Sequence, residues 1–96
     1  MKTVRFLRPA ELELLDAAKY YELQAAGLGN EFLDKVVAAL KDIREHPVQC
    51  SIVKLNIRRR LVTRFPYALL YRVDPEEIVI EATMHTRRRP DYWFGR

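Results

Sequence analysis

YALLYRVDPEEIVIEATMH, residues 67 to 85, decides the fold. Two apolar runs, 67–73 and 77–85, flank Asp74-Pro75. A proline just inside a tight reversal has its φ preset, so the two runs read as an antiparallel hairpin. Upstream, "IRRRLVTRF" over 57–65 also alternates, and Pro66 separates it from the hairpin. "IVKL", 52–55, reads as a short additional strand, and "TVRFL", 3–7, as another at the opposite end of the chain.

Between these strands the period changes. Pro9 suits the first turn of a helix, and Leu14, Ala18, Tyr21 and Ala25 then fall on one helical face. "AAGLGN" interrupts the pattern, and Asn30 is read as the N-cap of a second helix. Phe32, Leu33, Val36, Val37, Leu40 and Ile43 form its apolar stripe until Pro47 ends it. Helices joined by so short a link pack as a hairpin. The expectation is an α+β domain, β-α-α-β-β-β, with the helical hairpin on one face of a small antiparallel sheet. With 96 residues there is room for one domain, 1–96, and 49% hydrophobic residues suffice for its core.

Composition narrows the function. One cysteine, Cys50, forms no internal disulfide and fits a reducing compartment. The first fifteen residues hold no long apolar run, so neither a signal peptide nor a membrane span is expected, and a cytoplasmic location is. His46, Cys50 and His85 lack the ligand spacings zinc requires, so no metal and no cofactor is expected. The formal charge of +4 favours anionic partners, and the arginines gather in the second half.

Strand alternation assigns those arginines a face. Between 57 and 65, Leu61 and Phe65 point one way and Arg58, Arg60, Val62 and Arg64 the other. On the last strand Ile78, Ile80, Ala82 and Met84 take the core side, leaving Val79, Glu81, Thr83 and His85 opposite. The face without helices should then carry Arg58, Arg60 and Arg64, with Arg87, Arg88 and Arg89 at its end, as an anion- or target-binding surface. Arginines that merely guard an exposed sheet would give the same pattern. Trp93 is expected to fold back over the core edge, while Tyr92 is left open, since an aromatic beside arginines also stacks on bases.

The segment "RRRLVTRFPYALLYRVDPEEIVIEATMHTRRRPDYW", with the helical stretch "YYELQAAGLGNEFLDKVVAALKDIREHP" before it, resembles the RelE/ParE superfamily of toxins from bacterial toxin–antitoxin modules. The resemblance implies a small growth-inhibiting toxin of the plasmid-stabilisation type, neutralised in a hetero-oligomer by a cognate antitoxin. It also implies two alternative targets. RelE-like members cleave mRNA on the ribosome without a metal. For them Arg87, His85 and Tyr92 are the candidate catalytic residues, although Ala68 stands where that branch carries a phosphate-binding arginine. ParE-like members bind DNA gyrase and do no chemistry, and the wording "RFPY…YRV" is closer to them. A nucleic-acid-binding module without toxicity is the third alternative. A ParE-like toxin is the reading preferred from the sequence.

Overall fold

The structure is a computed structural model and describes residues 2–96. Strand β1 (Thr3–Phe6) leads into helices α1 (Arg8–Gln24) and α2 (Leu28–Glu45), followed by β2 (Ile52–Lys54), β3 (Ile57–Leu61), β4 (Tyr67–Val73) and β5 (Glu77–His85). The strands form one five-stranded sheet in the order β1-β5-β4-β3-β2. From β2 to β5 it is an antiparallel meander, but β1 lies parallel to β5, with Thr3 opposite Glu77 and Phe6 opposite Ile80. The sheet is therefore mixed. Alternation reports which residues share a face and carries no information on strand direction.

Asp74-Pro75 turns β4 into β5 as expected, closed by Asp74 N–H to the Glu77 carbonyl at 2.8 Å. The helical hairpin is tighter than its sequence suggests. α2 starts at Leu28, and its N-cap is Gly27, at φ 87°, in place of Asn30. The Glu22 carboxylate of α1 accepts from the N–H groups of Gly27 and Gly29 at 3.0–3.1 Å, so one helix caps the next. This carboxylate also satisfies the positive end of the α2 dipole. Gly29 sits directly against α1, where a Cβ would lie 2.6 Å from the Ala18 carbonyl oxygen.

The main core lies between hairpin and sheet. Ala10 and Ala17 of α1 and Phe32, Val36, Ala39 and Ile43 of α2 meet Val62, Leu69, Tyr71, Ile78 and Ile80. Removing Phe32 or Ile43 to alanine would cost about 2–5 kcal/mol at such sites. Rings of Tyr21, Phe32, Phe65 and Tyr67 close one end, with centroids 4.8–6.2 Å apart.

A β-bulge changes the face assignments. Leu70 pairs with Ala82 but Tyr71 pairs with Ile80, which leaves Glu81 as an extra residue. Beyond it the alternation inverts. Thr83 turns towards α1, donating its hydroxyl to the Ala10 carbonyl at 3.0 Å, whereas Ala82 and Met84 join Ile57 and Leu70 on the outer face. That outer face is covered as well. The segment after β5 folds across it and seats Trp93, 3% exposed, on those four side chains, with Tyr92 alongside. Trp93 thus folds back as expected, and neither face of β5 is free.

The expected basic face is corrected accordingly. Val62, not Leu61, enters the core, and Leu61 is exposed. β3 ends at Leu61, and Arg64 lies in the following turn at φ 72°. Arg58 and Arg60 project on the helix side of β3, where Arg58 donates to the carbonyls of Val48 and Cys50 and Arg60 to the Asp42 carboxylate at 2.8 Å. Arg58 thereby pins the α2–β2 loop and Arg60 the last turn of α2 to the sheet. Arg64 faces Glu31 at 3.8 Å.

Candidate functional site

Where β1 ends, the upper half of β5 loses its neighbour, and α1 crosses there instead. A cleft of about 250 Å³ opens between them, lined by Glu13, Asp16, Ala17 and Tyr20 of α1, Tyr67 of β4, Thr83 and His85 of β5, and Arg88. The α1 residues follow the i, i+3, i+4, i+7 spacing that places side chains on one helical face. His85 sits opposite Tyr67 in the last pair of the β4–β5 ladder, and their rings meet edge to face at 5.1 Å. Its Nδ1 accepts the Arg87 N–H at 3.1 Å, which places a proton of the neutral ring on Nε2.

Glu13 joins α1 to the tail. Its carboxylate accepts from the Thr83 N–H at 3.1 Å and from Arg96 through two contacts of 2.8 and 3.0 Å, with Arg88 at 3.9 Å. Burial works against this carboxylate, but the hydrogen bonds from Arg96 and Thr83, with the Tyr92 hydroxyl close by, hold it below the usual carboxylic range. The Arg96 guanidinium also donates to the Glu81 carbonyl at 3.1 Å. Thr83 N–H and Glu81 C=O are groups a further strand would pair, so the Glu13–Arg96 pair closes this part of the sheet edge.

Arg88 and Arg96 stack over the Tyr92 ring at 4.0 and 5.0 Å. The Tyr92 hydroxyl is buried and has no hydrogen bond of normal geometry. Burial, then the neighbouring Glu13 carboxylate, push its ionisation above the usual phenol range. Arg87 and Arg89 are exposed and make no ion pair among the described residues.

Of the residues singled out by sequence, His85 and Arg88 share the cleft, with Arg87 and Arg89 just outside it. Tyr92 does not present its hydroxyl there, because ring and hydroxyl are enclosed beside Glu13. Arg58 and Arg60 belong to β3, across β4 from β5, and are engaged elsewhere. Glu13, Asp16 and Tyr20 were missed as site residues. Their common helical face was the available signal. Among the described residues no three histidine, cysteine, aspartate or glutamate side chains converge as a metal site.

Cleaving an RNA phosphodiester without a metal requires cations converging on the crowded phosphate. Two carboxylates line this cleft with a single arginine, and Ala68, where a RelE-like arginine would stand, is fully buried.

The family profile described as "ParE toxin of type II toxin-antitoxin system, parDE" matches residues 4–90. The chain belongs to this ParE toxin family. Its architecture is similar to a chain in the structure of the chromosomal ParDE toxin–antitoxin system from P. aeruginosa, with a TM-score of 0.74 at 19% identity, over 88% of this chain and 96% of that one. No curated protein matches the sequence. The ParE-family toxin described here is thus the toxin component of a type II toxin–antitoxin pair, and a cognate antitoxin is its implied partner. No helix is long and apolar enough to cross a membrane among the described residues.

Proposed function

We propose that this ParE-family toxin arrests growth by binding DNA gyrase and performs no chemistry of its own, until its antitoxin covers it. The observation that carries this reading is the composition of the His85 cleft. Glu13 and Asp16 occupy the space where converging cations would be needed, and the Tyr92 hydroxyl is shut away from it. One oriented donor to a transition-state oxygen contributes about 3 kcal/mol, and a site lacking several loses most of its rate. A binding toxin needs only an accessible, charged surface, which Arg87 and Arg89 supply. Membership of the ParE family supports the same choice.

The test compares gyrase supercoiling with ribosome-dependent mRNA cleavage, using purified toxin in both. Inhibition of supercoiling with intact mRNA is the expected result. Cleavage that disappears in His85→Ala or Arg87→Ala would establish the RelE-like nuclease instead. Neither effect, with no arrest on induction, would leave a nucleic-acid-binding module without toxicity.

A further inference from the structure

We propose that the cleft between α1 and β5 is a binding site for an unstacked guanine nucleotide of a single strand. This goes beyond the gyrase reading and does not depend on it. The lining is chemically mixed in an ordered way. Asp16 contributes a carboxylate that enters no ion pair among the described residues, unlike Glu13, which Arg96 and the Thr83 N–H occupy. Tyr20, 56% exposed, stands on one wall, and the edge-to-face pair of Tyr67 and His85 stands on the other. Arg88 is at the rim, and Arg87 and Arg89, its neighbours in the chain, are exposed and enter no ion pair among the described residues.

A bare anion meets two carboxylates here, and a bare cation meets Arg88 with two more arginines beside it. A guanine nucleotide carries the complementary set in one ligand. Its N1–H and N2 amino group present two adjacent donors to a carboxylate, which accepts through both oxygens. Its planar ring stacks on aromatic side chains, the usual means by which unpaired bases are held. Its phosphates lie outside, within reach of the arginines. Ala17 leaves the floor low, and the cleft of about 250 Å³ has room for a base. Adenine is disfavoured because its unprotonated N1 would face the Asp16 carboxylate, a repulsive contact of two acceptors.

The experiment is a titration of the full-length toxin followed by NMR, using the trinucleotides dTGT, dTAT, rUGU and rUAU. The expected result is that a guanine strand shifts the Tyr20, Tyr67 and His85 resonances and binds about tenfold more tightly than its adenine counterpart, the scale set by one well-placed base contact. The strand that binds, DNA or RNA, identifies the source, and binding of both means that the base alone is read. Asp16→Asn should abolish the preference for guanine. Tyr20→Ala should weaken binding about tenfold, as loss of one stacking platform does. Both side chains are exposed, so both variants retain the fold, which circular dichroism verifies. Equal binding of guanine and adenine strands, or binding unaffected by Asp16→Asn and Tyr20→Ala, would reduce the site to arginine–phosphate attraction and overturn the proposal. Absence of binding would overturn it too.

Discussion

Removing either partner of the Glu13–Arg96 pair should loosen the whole segment after β5, and the structure sets the scale. The two side chains are 16% and 19% exposed and meet through two contacts of 2.8 and 3.0 Å. Fully exposed pairs contribute about 0.2–1 kcal/mol, while breaking a buried pair costs about 3–5 kcal/mol. This pair lies between those limits. Glu13→Ala also strips the Thr83 N–H of its acceptor, a further loss of about 1–3 kcal/mol. The expected cost of Glu13→Ala is therefore about 2–5 kcal/mol, and that of Arg96→Ala about 1–2 kcal/mol. Each kcal/mol lowers the melting temperature of a domain this size by about 4–8 °C. Urea denaturation of the parent, both single variants and the double variant closes the cycle, with the fluorescence of Trp93 reporting the tail. A coupling of about 1–2 kcal/mol is expected. A value below about 0.3 kcal/mol, the ordinary scatter of additivity, would refute the claim that this pair holds the tail.

Further predictions concern acid, glycine, tryptophan and histidine. The carboxyls of Glu13 and Glu77 titrate below their ordinary range when folded, Glu13 against the opposing effect of its burial and Glu77 through its hydrogen bonds from Arg5. Their stabilisation is thus complete above the unfolded carboxyl range and is lost as pH falls through the lowered folded values. Melting temperature should drop on acidification in that window, and less so in Glu13→Gln. Gly29→Ala should destabilise by about 1–3 kcal/mol in urea through its contact with the Ala18 carbonyl, and equal or greater stability would contradict the close helix approach. Trp93→Phe should cost under about 1.5 kcal/mol, because the buried indole N–H has no partner to lose, against about 3–5 kcal/mol for Trp93→Ala. His85→Ala should still arrest growth on induction without antitoxin, and recovery of growth would point to catalysis.

The hairpin of strands and the hairpin of helices were legible because each rests on short-range information: Asp74-Pro75 presets a turn, and Phe32, Val36 and Ile43 recur at helical spacing and are all buried. Side-chain orientation on β5 was not legible. From Ile78 to Met84 every residue is buried, since helices cover one face and Trp93 the other, so polarity does not mark which side is which. The extra residue at Glu81 then inverts the count without any local signal. Glu81 itself is buried because it pairs with Arg72, and a charged residue in a strand reads as outward until its partner is known. The site was half visible for a related reason. His85 and Arg88 stand out in the tail motif, whereas Glu13, Asp16 and Tyr20 look like an ordinary solvated helix face until the short β1 leaves room for α1 beside β5.

The order β1-β5-β4-β3-β2 also governs when the toxin comes into being. Residues 3–6 have no sheet partner until residues 77–80 exist, and Glu13 waits for Arg96. A chain emerging from the ribosome can form its helical hairpin early, but these long-range closures wait until residues 77–96 have been made. Interrupted translation therefore yields fragments without the finished cleft or the ordered arginine tail.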